Sequence, residues 1–176
     1  NKRKIKTLHS FFDSKISQKI ISKFGYAKII TGTNVFAHID NLNELFKNVK
    51  KVLDKKKGVF IIEVPHFLNL VKDLEYDTIY HEHLSYITVK PLIRFFKKFN
   101  LEIIDVQQRD IHGGSIRVFV SGRYNYKIKN SVLKICKLEN KAKLNSKNTL
   151  INFQKKVIQN RIELTLLLSK LKKMKK

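Results

Sequence analysis

The chain has 176 residues, 43% of them hydrophobic and 10% aromatic, with 6 Gly and 2 Pro. This composition folds around a core and excludes disordered and collagen-like classes. A single cysteine, Cys136, excludes an internal disulfide and a cysteine zinc site, as expected in a reducing compartment. The net charge of +23 sits mainly in the tail: Arg123 to Lys176 hold 16 basic and 2 acidic residues, whereas Phe60 to Lys90 carry five acidic residues against two lysines. Only six of the 37 basic residues are Arg, which argues against nucleic acid as the partner. The basic start runs into FFDSKISQKI, charged where a secretion signal needs an apolar run. Nothing approaches the roughly 20 apolar residues of a membrane span, so a cytoplasmic protein is expected, and the first residue, Asn1, suggests part of a longer chain.

In chain order, Ile16, Ile20, Ile21 and Phe24 recur at helical spacing before Gly25, which predicts a helix over Ser14 to Phe24 with a glycine C-cap. Ala27 to Thr31 (AKIIT) is short and β-branched and reads as a buried strand. Asp40 then caps an amphipathic helix through Leu42, Leu45, Phe46, Val49, Val52 and Leu53, with Lys55 to Lys57 at its solvated end. Val59 to Val64 (VFIIEV), closed by Pro65, is a second buried strand. Strand, helix and strand with short connections form a βαβ unit, whose strands pair in parallel.

After an irregular stretch, Thr88 caps a helix with Pro91 in its first turn and Leu92, Ile93, Phe95, Phe96 and Phe99 inward. Leu101 to Val106 and Ser115 to Val120 are strands, and QQRDIHGG between them is too short for a helix. An antiparallel hairpin at one edge of the sheet follows, with Gly113 and Gly114 relieving its turn. Beyond Arg123 no strand signal remains. Leu150, Phe153, Val157, Asn160, Leu164, Leu167, Leu171 and Met174 form a heptad seam broken by Asn160, which predicts a long amphipathic helix packed on its own domain.

Two clusters follow strand ends, where an open α/β sheet presents its ligand crevice. One is TGTNVFAHI (Thr31 to Ile39); the other is EYDTIYHEHLSY (Glu75 to Tyr86). Tyr, Glu and His within four residues can supply an imidazole base, a carboxylate that orients it and a phenol that stabilises an oxyanion. HEH with His66 or His112 has the residue types of a metal site, but residues at i and i+2 converge only on a strand or a suitable loop, and no further ligand pattern is present. Arg117 can reach a phosphate or lie solvated on an edge strand.

YDTIYHEHLSY, with NVFAHI upstream and IHGGSIRVFV downstream, resembles the S-adenosylmethionine-dependent sugar C-methyltransferases, which methylate C3 of nucleotide-linked 4-keto sugars. The resemblance implies the C-terminal half of a doubly wound, Rossmann-like methyltransferase sheet, with a final antiparallel hairpin and then C-terminal helices. It divides the chain into a partial methyltransferase domain at 1–122 and a basic helical segment at 123–176. On the family's pattern His83 is the base that takes the C3 proton, Tyr80 and Glu82 support it, and His38 lies near the keto oxygen. Thr33 and Asn34 face the cofactor, S-adenosylmethionine, while Tyr76, His112, Ser115 and Arg117 are candidates for holding the nucleotide-linked keto sugar. No metal is implied.

The six glycines, Gly25, Gly32, Gly58, Gly113, Gly114 and Gly122, include no glycine-rich loop after an upstream strand. The family's N-terminal zinc module and most of its C-terminal domain are also missing from the resemblance, so the sequence reads as the middle of such an enzyme. A non-catalytic interaction module is the competing expectation, and a basic nucleic-acid binder the third. An exposed strand edge or the C-terminal helix offers a route to self-association.

Overall fold

The computed structural model describes residues 5–174; the outermost residues of the two expected segments lie outside it. Helix α1 (Ser14–Phe24) begins where the Asp13 carboxylate accepts the N–H of Ile16 and ends at Gly25, with φ of 77°. Strand β1 (Ile29–Thr33) leads through a 3-10 turn (Phe36–His38) to α2 (Leu42–Val52) and β2 (Val59–Pro65). A short helix α3 (Phe67–Asp73) and a second 3-10 turn (Tyr76–Thr78) precede α4 (Val89–Lys97). Strands β3 (Leu101–Arg109) and β4 (Ser115–Gly122) are followed by α5 (Asn130–Lys141) and α6 (Lys147–Met174).

The four strands form one sheet in the order β1-β2-β4-β3. β1 and β2 are parallel, from Ile29 opposite Val59 to Thr33 opposite Glu63, as the βαβ unit requires. β3 and β4 are antiparallel, with a bulge between Ile103 and Asp105, as the short connection predicts. β4 is not an edge strand, however: it inserts between β3 and β2 and pairs antiparallel with β2, from Val59 opposite Ser121 to Pro65 opposite Ser115. β1 forms the opposite edge. Its residues are exposed or half-buried, with Ile29 65% exposed, which corrects the reading of AKIIT as fully buried.

Phe46 of α2 anchors the core. Its ring lies 5.0 to 5.7 Å from those of Phe36, Phe60, Phe95 and Phe96, edge-on to most of them, the arrangement favoured by aromatic quadrupoles. Helix caps differ in detail from expectation. Asn41, not Asp40, accepts the Glu44 N–H at the start of α2, because Asn41 is the residue placed to reach the first turn. Thr88 occupies the N-cap position of α4 without a side-chain bond; Glu139 of α5 supplies the acceptors instead. Lys55 to Lys57 lie in a turn past the end of α2, where Asp54 accepts the N–H groups of Lys56 and Lys57.

The long C-terminal helix is present, but only its first half rests on the domain: Thr149, Phe153, Val157 and Asn160 are half-buried, and every residue from Arg161 to Met174 is exposed. No residue of α6 is buried, and Leu150, Leu164, Leu167, Leu171 and Met174 of the seam are exposed. The polar break in the seam makes a tether: Asn160 Oδ1 accepts the Tyr76 hydroxyl at 2.9 Å. No helix among the described residues is long and apolar enough to cross a membrane.

Candidate active site

The chain leaves the end of β2 at Pro65 and makes an excursion to the start of α4 at Val89. This excursion carries the Tyr, Glu and His of the second cluster beyond the sheet edge where β1 also ends. The turn after β1 brings His38 to the same place, held by the Leu84 N–H, which donates to the Ala37 carbonyl at 2.7 Å. His38 and His83, 45 positions apart in sequence, have ring centroids 4.9 Å apart.

Both imidazoles are oriented by backbone carbonyls. His83 Nδ1 is 2.8 Å from the Thr78 carbonyl and His38 Nδ1 is 3.0 Å from the Glu82 carbonyl. A carbonyl can only accept, so each Nδ1 carries a proton, and the neutral form of either ring presents a lone pair at Nε2. The Tyr80 hydroxyl lies 3.3 Å from His83 Nε2, with ring centroids 4.4 Å apart. Two imidazoles and a phenol therefore share one open cluster. Glu82 is in the cluster through its backbone; its carboxylate is exposed and makes no hydrogen bond among the described residues. The work of orienting the imidazole, expected of this carboxylate, falls to Thr78 O.

The other candidates are placed differently. Tyr76 is half-buried and gives its hydroxyl to Asn160. Ser115 is buried, its hydroxyl donating to Ile111 O at 3.1 Å. His112 is exposed in the β3–β4 turn with φ of 50°. Arg117 faces neither water alone nor an open crevice, since Nε and Nη2 lie 2.7 and 2.5 Å from Glu63 Oε2, directly opposite on β2.

Gly113 and Gly114 have φ of +72° and +116°, and a Cβ at either would collide with Glu75 or Asn69. Only glycine permits both the turn and the close approach. Burial raises the pKa of the Glu75 carboxyl beside this turn, and Asp73 and Asp77 push it the same way. Burial likewise raises that of the Tyr86 phenol, whose ring lies 6.3 Å from His83.

Asn34 stands in the left-handed region, φ 52°, with its N–H bonded to Glu63 O at 2.9 Å. Its side-chain Oδ1 is buried with no hydrogen-bond partner among the described residues. An orphaned acceptor at a strand end is costly unless a ligand donates to it, which fits the cofactor contact expected there. Thr33, its neighbour, is exposed. Among the described residues no group of three or more His, Cys, Asp or Glu is arranged to hold a metal ion.

The sequence reading missed two residues that shape this region. Thr78 acts through its carbonyl, which no side-chain pattern reveals. His66, at the end of β2, is buried with its Nε2 2.9 Å from Glu139 Oε1, a partner that its place beside HEH as a possible metal ligand does not reveal.

Comparison with known proteins identifies the family. A family described as a methyltransferase domain matches residues 3–106, and one described as a C-methyltransferase C-terminal domain matches residues 110–176. C-methyltransferase NovU of Streptomyces niveus is 36% identical over 121 residues, which cover 69% of this chain and 29% of NovU. The chain thus spans less than a third of the length of that relative. The crystal structure of a SAM-dependent methyltransferase from Anabaena variabilis superposes with a TM-score of 0.45 at 14% identity, over 66% of this chain and 58% of that one. The chain belongs to the family of methyltransferase domains, here followed by a segment that matches the C-terminal domain of C-methyltransferases.

Proposed function

We propose that this protein acts in the S-adenosylmethionine-dependent methylation of carbon C3 in a nucleotide-linked 4-keto sugar, with His83 as the base. The observation that carries the reading is the His83 imidazole: its Nδ1–H is fixed on Thr78 O and its Nε2 lone pair meets the Tyr80 hydroxyl. A proton next to a ketone is acidic enough to remove only when the base is held in place and the developing oxyanion is stabilised. His83 Nε2 takes the C3 proton, and the C–H electron pair moves into the enolate. The Tyr80 hydroxyl exchanges Nε2 for the enolate oxygen, a trade of one acceptor for another, and His38 lies close enough to His83 to face the same oxygen.

When bound, S-adenosylmethionine would supply an electrophilic methyl group on a positively charged sulfur, and would give it up by S–CH3 cleavage, leaving as the neutral thioether. Asn34 Oδ1 would accept a hydrogen bond from the cofactor, and Thr33 flanks it. Tyr76, His112, Ser115 and Arg117 border the excursion or the β3–β4 hairpin; of these, His112 has its side chain free for substrate as the site stands. The 36% identity to a C-methyltransferase supports carbon as the acceptor. The test is methyl transfer from labelled S-adenosylmethionine to a nucleotide-linked 4-keto sugar by the protein as its gene encodes it. Label on sugar carbon supports the reading, and binding of S-adenosylmethionine without transfer to such sugars refutes the substrate assignment.

A further inference from the structure

Glu139 is a buried carboxylate, 4% exposed, on a helix otherwise rich in lysine. Its Oε1 accepts His66 Nε2–H at 2.9 Å and Val89 N–H at 2.6 Å, and its Oε2 accepts Lys90 N–H at 3.1 Å. His66 begins the excursion that carries Tyr80 and His83; Val89 and Lys90 end it. The same two ends meet through the backbone, where Phe67 N–H donates to Ile87 O at 3.0 Å. Lys90 Nζ also donates to Asn140 Oδ1 at 3.0 Å, next to Glu139 on α5. His66, Thr78, His83 and Tyr86 line one small space of about 20 Å³, so the clasped end of the excursion and the base share a wall.

We propose that Glu139 is a positioning residue for the His83 site: one carboxylate clasps both ends of the excursion and so holds Thr78 O and the His83 ring in their reactive relation. The role rests on the reading of His83 as the base. A helix cap alone would need only the N–H groups of Val89 and Lys90. The bond to His66 joins the opposite end of the loop, and a carboxylate is the side chain that can accept from three donors at once. Glutamine cannot, because its amide nitrogen opposes either Lys90 N–H or Val89 N–H, backbone donors that cannot become acceptors.

The test compares the protein with Glu139→Gln and His66→Gln by two readouts, deuterium wash-in at C3 of a nucleotide-linked 4-keto sugar and amide hydrogen exchange at His83 and Leu84. Glu139→Gln is expected to lower the wash-in kcat at least about tenfold with KM within about twofold, and to speed both amides at least about tenfold. His66→Gln, whose amide N–H still reaches Oε1, retains both. Unchanged wash-in and protection in Glu139→Gln would overturn the clasp. Should that variant not fold, His66→Leu leaves the bonds to Val89 and Lys90 and must show the same losses; retained protection there overturns the clasp equally. If the unaltered protein shows no wash-in, the base reading of His83 falls, and amide exchange alone decides the clasp.

Discussion

Arg117 offers a quantitative check on the observed register. Its guanidinium holds Glu63 through Nε and Nη2 on a neighbouring strand, with the Glu63 side chain 7% exposed and that of Arg117 35% exposed. Arg117→Met leaves the Glu63 carboxylate in the sheet without a cation. Breaking a fully buried pair costs about 3–5 kcal/mol, and the partial exposure of Arg117 screens part of that, so a loss of about 2–3 kcal/mol is expected. The double variant Glu63→Leu/Arg117→Met removes both charges and should return to within about 1 kcal/mol of the parent. Urea denaturation of the parent, both single variants and the double variant measures the cycle. A cost below about 0.5 kcal/mol for Arg117→Met, the value of a solvated edge side chain, would contradict the placement of β4 between β2 and β3. So would a double variant no more stable than the single one.

Two further predictions concern the core and the pH response. Phe46→Ala removes the ring around which Phe36, Phe60, Phe95 and Phe96 pack and should cost about 3–5 kcal/mol in the same assay. Burial alone would raise the pKa of Asp105, but bonds from Lys129 Nζ at 2.7 Å and Ser131 Oγ at 2.6 Å outweigh it and hold the carboxyl below its ordinary 3.8. A depressed acid stabilises the fold above its unfolded pKa, and that contribution fades as pH falls through the folded value. The stability gap between the parent and Asp105→Asn should therefore be full at neutral pH and close below 3.8; a gap independent of pH would refute the assignment.

The parts of this fold that were legible in the sequence are those in which a local pattern decides the outcome. AKIIT and VFIIEV flank one amphipathic helix, and the handedness rule for such units leaves parallel pairing of β1 and β2. The eight residues QQRDIHGG between the strands read at Leu101 to Val106 and Ser115 to Val120 leave only a hairpin. No local pattern says that β4 also pairs with β2, because that choice depends on which edge is free once the rest has folded. The seven-residue helix α3 is too short for periodicity to register. The heptad seam of α6 correctly predicted a helix, but a seam shows that an apolar face exists, not what covers it, and here Asn160 alone of the seam bonds to the excursion among the described residues.

At the candidate site the sequence showed which residue types gather and not how they are held. Of HEH, the His83 ring meets the upstream His38, with centroids 4.9 Å apart. Their orientation comes from the carbonyls of Thr78 and Glu82, and every residue has a carbonyl, so side-chain identity carries no trace of it. Glu139 and His66 were hidden for a related reason: a glutamate among lysines on a helix reads as solvated, and only the packing of α5 against α4 and the end of β2 makes it an interior acceptor.

The central claim is that His83 removes a proton from sugar carbon. Its most direct measure is deuterium wash-in at C3 of a nucleotide-linked 4-keto sugar, followed by NMR in deuterated water for the parent, His83→Gln and Tyr80→Phe. Loss of the base should abolish wash-in to within about 1% of the parent rate, since a positioned general base contributes about 10²–10⁴-fold, while S-adenosylmethionine binding by calorimetry stays unchanged. Tyr80→Phe should be milder and fall on kcat, through loss of one donor to the enolate. Wash-in retained by a folded His83→Gln protein would contradict the account and pass the role of base to Tyr80 or His81.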